Sequence, residues 1–119
     1  MHTLSIDIET YSSIDLTRCG VYKYTEPPDF QILLFGYAID EEAVQVVDIA
    51  SGQKIPYKIL SALTNPLVTK WAFNANFERI CLSRYLRERY PDYFTSYGED
   101  VAVSKYLNPL GWKCTMVLS

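Results

Sequence analysis

The stretch Leu4-Ser5-Ile6-Asp7-Ile8-Glu9-Thr10 decides how the rest of the chain reads. Leu4, Ile6 and Ile8 alternate with Ser5, Asp7 and Glu9, the period-two pattern of a strand with one face on a core. Successive strand side chains point to opposite faces, so Asp7 and Glu9 share one, with roughly 6–7 Å between their Cα atoms. Two carboxylates this close repel each other, and the flanking isoleucines add desolvation. A divalent cation between the oxygens relieves the repulsion, and hard oxygen donors select Mg²⁺ or Mn²⁺ over zinc. Spacing alone favours two ordinary acids on a solvated strand face.

Outward from this strand, Thr10 to Asp29 is polar and turn-rich, closed by Pro27-Pro28. It reads as loop with room for one helical turn. Gln31 to Ile39 reads as a buried strand, Asp40-Glu41-Glu42 as a turn, and Val44 to Ile49 as the antiparallel partner, ended by Ser51-Gly52. Ile55 to Leu63 reads as a short helix with Pro56 near its first position, where a missing N–H costs little. Asn65-Pro66 stops it. Val68 to Phe73 reads as a strand that runs without a spacer into Asn74-Ala75-Asn76. Phe77, Ile80, Cys81, Leu82, Tyr85 and Leu86 then fall at helical spacing and predict an amphipathic helix over Ala75 to Arg89. Either asparagine can cap it, and Pro91 ends it. Glu99 to Leu107 reads as a further short helix and Trp112 to Thr115 as a short strand. Hairpin strands followed by alternating helix and strand define an α/β fold, a mixed sheet with helices on its faces.

This order places Glu78 in the first turn of the long helix. The helix dipole favours a carboxylate there by a few tenths to about 1 kcal/mol whatever its function. A sheet that brings the end of the first strand to this helix start adds a third carboxylate to Asp7 and Glu9. Three converging carboxylates point to a metal site.

Composition narrows the alternatives. The 119 residues, 49% apolar and 21% charged, suit one folded domain spanning 1–119. The longest apolar run, Ile32 to Ile39, is too short to span a bilayer, so no membrane partner is expected. The N-terminus lacks the pattern of a signal peptide. Cys19, Cys81 and Cys114 are odd in number and widely spaced, against a disulfide framework, and with His2 they show no zinc spacing. A soluble, reduced, intracellular domain is expected. One histidine speaks against a Ser-His-Asp or Cys-His site. The loops around Gly20, Gly52 and Gly111 lack a phosphate-cradling pattern, and Asp7 and Glu9 lie on one strand face rather than across a glycosidase cleft.

The net charge of −3 argues against a protein that coats nucleic acid by charge alone. Its distribution is uneven: residues 1–53 hold nine acids and two bases, or −7, and residues 54–119 hold five acids and nine bases, or +4. Arg79, Arg84, Arg87 and Arg89 cluster in one stretch, which reads as a solvated helix face or as a phosphate-binding surface.

The residues also resemble a known family. DIETYSS (7–13) looks like the first motif of the DEDD 3′–5′ exonucleases, and FNANFER (73–79) like their second, an Asn followed four residues later by the acid. The stretch from Leu4 through Met116 resembles the exonuclease region of bacteriophage and prophage family A DNA polymerases. The resemblance implies a ribonuclease H-like fold, with three antiparallel N-terminal strands followed by parallel ones, and two-metal hydrolysis of the 3′-terminal phosphodiester of DNA. Carried over, Asp7 bridges both metals, Glu9 binds the nucleophile-side ion, and Glu78 holds the second through water. Thr10 touches the terminal nucleotide, Asn74 orients the site, Ile14 wedges against the terminal base, and Tyr11 or Phe77 stacks on unpaired bases.

The implied cofactor is Mg²⁺ or Mn²⁺. The implied partners are a single-stranded DNA 3′ end and the rest of a polymerase chain, in the cytoplasm of a bacterial host. An RNA end is not excluded by any one residue. Two departures stand out. The second-motif acid is usually Asp, and here it is Glu78. The third motif, an Asp with a Tyr or His on a later helix, is not met before Ser119, and Asp100, Tyr97 and Tyr106 precede the last strand. The expectation is the N-terminal portion of a proofreading exonuclease, impaired in metal binding and turnover as an isolated chain. The rival expectation is a catalytically inactive ribonuclease H-like module that binds DNA or protein, with homodimerisation through the edge left open.

Overall fold

The computed structural model describes residues 1–92 and 106–115. Within them, β1 (Thr3–Tyr11), β2 (Gln31–Ile39), β3 (Gln45–Asp48), β4 (Thr69–Ala72) and β5 (Trp112–Cys114) form a five-stranded sheet in the order β3-β2-β1-β4-β5. β1, β2 and β3 pair antiparallel, whereas β4 runs parallel to β1 and β5 parallel to β4. α1 (Leu16–Tyr24), α2 (Tyr57–Thr64), α3 (Ala75–Arg89) and a 3-10 turn at Ile49–Ser51 complete the described elements.

The alternation in β1 is realised as read: Leu4, Ile6 and Ile8 are buried, and Ser5, Asp7 and Glu9 are exposed. Paired strands add Phe35, Tyr37, Ile39 and Val47 to the inner face, against Ile59, Leu60 and Leu63 of α2 and Cys81, Leu82 and Leu86 of α3. Each large side chain withdrawn from water here contributes about 1.5–3 kcal/mol. β2 has the predicted bounds. β1 runs two residues further than Glu9 because Thr10 and Tyr11 still find partners in Ile32 and Gln31, across an irregularity at Glu9/Thr10. β4 is shorter than the predicted Val68–Phe73, and Phe73 stands 68% exposed beyond it.

The region read as loop, Thr10 to Asp29, contains α1, a nine-residue helix. Gly20 breaks its φ/ψ regularity (φ 81°, ψ 167°) and none of its residues is fully buried, so no apolar period marks it in the sequence. Asp15 starts it, its carboxylate accepting from the Thr17 N–H and hydroxyl at 3.0 and 2.7 Å.

α3 has the predicted bounds, but it is buried on more than the one stripe of an amphipathic helix. Segment 106–110 lies along its far side, where Ser83 Oγ accepts from the Leu107 N–H at 2.9 Å. Arg79 donates to the Leu107 carbonyl, also at 2.9 Å. The arginines are therefore not a bare solvated face. Arg84 binds the carbonyls of Thr25 and Pro27 and pairs with Glu88, while Arg87 and Arg89 lie over the rings of Tyr106 and Tyr85.

Most of the predicted helix Glu99–Leu107 lies outside the described residues; Tyr106 and Leu107 themselves are not helical. Gly111 opens the turn into β5 at φ +85°, where a Cβ would sit 2.8 Å from the Pro66 and Val68 carbonyl oxygens. Only glycine fits there.

Candidate functional site

Among the described strands, β1 alone has an antiparallel neighbour on one side and a parallel one on the other. Its pairing with β4 ends at Ile6–Ala72, and Asp7 is the next residue. There the chain leaves β4 through Phe73 and turns into α3. Asn74 caps the helix, accepting from the Phe77 N–H at 3.4 Å, and Cys114 of β5 accepts from the Ala75 N–H at 3.1 Å. These contacts fix the first turn of α3 against the sheet and with it Glu78.

A cavity of about 510 Å³ opens at this junction, lined by Asp7, Leu16, Val21, Phe73, Asn74, Asn76, Phe77 and Glu78. Its polar groups come from β1 and the start of α3, and its apolar wall from α1 and the two phenylalanines. Glu78 is 5% exposed, and its Oε2 is buried without a hydrogen-bond partner. Burial pushes its carboxyl up to about 7, and the Asp7 charge adds to the rise. Backbone N–H groups of Glu78 and Asn74 act the other way. An unpartnered buried carboxylate oxygen is costly, and it sits here beside a second carboxylate.

Of the residues predicted for the site, Asp7, Asn74, Phe77 and Glu78 line this cavity. Glu9 does not; it is exposed on the same face of β1 as Asp7, two residues along. Among the described residues no group of three or more His, Cys, Asp and Glu side chains is placed to hold a metal ion. Thr10 lies on the opposite face of β1, half-buried, its hydroxyl 2.8 Å from that of Tyr24. Tyr11 is 49% exposed at the end of β1. Ile14 is half-buried just before the cap of α1. The Phe77 ring packs against Tyr24, with centroids 5.9 Å apart.

Sequence reasoning missed Leu16, Val21, Phe73 and Asn76 as lining residues. Asp15-Leu16-Thr17, an N-cap residue before an apolar one, was the available signal for α1.

Fold and site together define an α/β domain with a carboxylate pair at the junction of its antiparallel and parallel strands. The chain is similar to a DNA polymerase of Bacillus phage SP02, at 46% identity over 117 residues, which is 98% of this chain and 15% of that protein. It thus spans about 15% of the length of this relative. No family model matches the chain, and no solved structure does. No helix among the described residues is long and apolar enough to cross a membrane.

Proposed function

We propose that this chain is the 3′–5′ exonuclease-like segment of a phage-type DNA polymerase, with a ribonuclease H-like fold. It acts on single-stranded DNA 3′ ends with Mg²⁺ or Mn²⁺ in the cytoplasm of a bacterial host. The observation that carries this reading is Glu78, a buried carboxylate with an orphan oxygen, facing Asp7 in one cavity. The similarity to a phage DNA polymerase supports the polymerase setting.

The donor set suits a hard divalent cation, because Asp7 and Glu78 offer oxygen alone. These two residues would hold the ion, with Glu9 next along the strand. When bound, such ions lower the pKa of a coordinated water and stabilise charge on attacking and leaving oxygens. The chain's own residues do the rest. Glu78 would hold the ion as a carboxylate, so binding there would be coupled to loss of its proton. Leu16, Val21, Phe73 and Phe77 keep bulk water from one side of the acids and offer an apolar face to a base. Asn74 sets the position of Glu78 through the helix cap, and Thr10, held by Tyr24, fixes the end of β1.

A second reading, a binding module without turnover, is favoured by one observation: Glu9 does not join Asp7 and Glu78 in the cavity. Calorimetric titration with Mn²⁺ decides between them. The nuclease reading expects micromolar binding that disappears in Asp7→Ala, with proton release near pH 7 from Glu78. It also expects weak Mg²⁺-dependent trimming of a labelled oligonucleotide, absent in the same variant. No binding at millimolar Mn²⁺ would leave the module.

A further inference from the structure

A second cleft lies at the other end of α3. Eleven residues separate Glu78 from Arg89, about 16 Å along the helix axis. There the last turns of α3 face the 3-10 turn after β3, and a cavity of about 310 Å³ is lined by Ile49, Gly52, Gln53, Lys54, Tyr85, Arg89 and Tyr90. A smaller one of about 140 Å³ shares Ile49, Tyr85 and Arg89 and adds Phe30, Gln31 and Glu88 among its walls.

Its chemistry is cationic and aromatic. The Arg89 guanidinium lies 5.5 Å from the Tyr85 ring centroid, and Arg89 makes no ion pair among the described residues. Lys54 is exposed and likewise has no ion pair among them. The nearby acid, Glu88, is engaged by Arg84 at 2.6 and 2.9 Å. Gln53 uses its Oε1 to accept from the Asp48 N–H at 2.7 Å, which leaves its amide NH₂ as a donor. The cleft therefore presents two cations and an amide donor over an aromatic wall, and its one carboxylate is already paired.

We infer that this cleft holds the phosphodiester backbone of a single-stranded nucleic acid, with Lys54 and Arg89 neutralising phosphates. The choice of nucleic acid rests on the nuclease reading; the cleft itself uses none of the carboxylates. Paired cations match a polyanion, while the Tyr85 ring, 6% exposed, packs against Tyr90 and Arg89 as part of the cleft wall. The site is also continuous with β1. Tyr11 pairs with Gln31, a wall residue of the smaller cavity, and lies about 13 Å along β1 from Asp7. A strand with its end at Asp7 reaches the cleft by following β1 past Tyr11.

The test is fluorescence anisotropy of the whole 119-residue chain with a short labelled single-stranded oligothymidylate in EDTA, so that no metal site contributes. Lys54→Ala/Arg89→Ala is expected to weaken binding at least about tenfold and to make the salt slope of log K shallower by about 1.4, from about 0.7 per phosphate contact. Lys54→Arg/Arg89→Lys should keep the slope. Thermal melting and amide shifts at Gly52 to Lys54 report folding and location. Binding in EDTA that the double variant leaves intact overturns the cleft without touching the Mn²⁺ result. No binding in EDTA at millimolar protein also overturns it.

Discussion

Lys70 and Glu78 lie eight residues apart on adjoining elements, and both are withdrawn from water, Lys70 to 1% exposure and Glu78 to 5%. What surrounds them differs. The Lys70 ammonium donates to the Asn65 carbonyl at 2.7 Å and lies 5.7 Å from the centroid of the Trp112 ring. Its neighbours are backbone and an aromatic ring. Glu78 has an oxygen with no donor, opens on a cavity, and shares that cavity with Asp7. Burial of a charge is thus no sign of function by itself. The informative combination is burial, a missing partner, room for a ligand and a second group of the same charge.

The largest effect expected from this contrast is the pH dependence of stability without metal. The Glu78 carboxyl is near 7 in the folded chain against an ordinary value of 4.5. Between these values the folded state keeps a proton that the unfolded chain has released. The contribution of Glu78 to stability is therefore largest below pH 4.5 and falls as pH rises towards 7, by about 3 kcal/mol. Urea denaturation in EDTA at the two ends measures this, and Glu78→Gln should remove the slope. Adding Mn²⁺ at a hundred times its dissociation constant should return about 2.7 kcal/mol to the parent chain and much less to the variant. A slope that survives in Glu78→Gln would remove Glu78 from its special place in the comparison.

Lys70 should give the opposite sign at the opposite end of the scale. Burial lowers its ammonium to about 8 from 10.5. Between these values the unfolded chain binds the proton and the folded one does not, so stability rises with pH. Followed from pH 8 to pH 10, the gain is about 2 kcal/mol. It is read as the difference between the parent and Lys70→Met, which keeps the apolar stem and loses the titration. Lys70→Met should leave Mn²⁺ binding unchanged, because nothing of Lys70 reaches the Asp7–Glu78 cavity.

How much of this was legible beforehand depends on whether the information is local. The alternation of β1, the apolar run of β2 and the spacing in α3 each reflect one element against one core, and they read well. Glu78 was placed correctly in the first turn of α3 because the strand runs into the helix without a spacer. α1 was not legible: Gly20 interrupts it, and only Val21 and Tyr24 pack, half-buried, against the core. The path of segment 106–110 along α3 was hidden as well. It depends on Arg79 and Ser83 meeting Leu107 across 28 and 24 residues, contacts with no period to announce them. The strand period put Asp7 and Glu9 on one face, yet it could not show that β4 stops at Ala72 and opens the cavity beside Asp7 alone.

The smallest effect concerns the helix cap. The sequence left Asn74 and Asn76 as equal candidates, and the two side chains have different work. Asn74 accepts from the Phe77 N–H, whereas Asn76 accepts from Arg79 Nη2 at 3.0 Å. Asn74→Ala should therefore cost about 1 kcal/mol. Asn76→Ala loses only an exposed bond on the helix surface and should cost about 0.5 kcal/mol or less. Because Asn74 fixes the turn that carries Glu78, its loss should also weaken Mn²⁺ binding and lower the apparent pKa of Glu78, as the loosened turn admits water. Lys70, in β4 before the cap, should titrate as it does in the parent chain. A shift at both residues would mean that the cap holds the sheet and helix together as one unit, and the two buried charges would then no longer be independent.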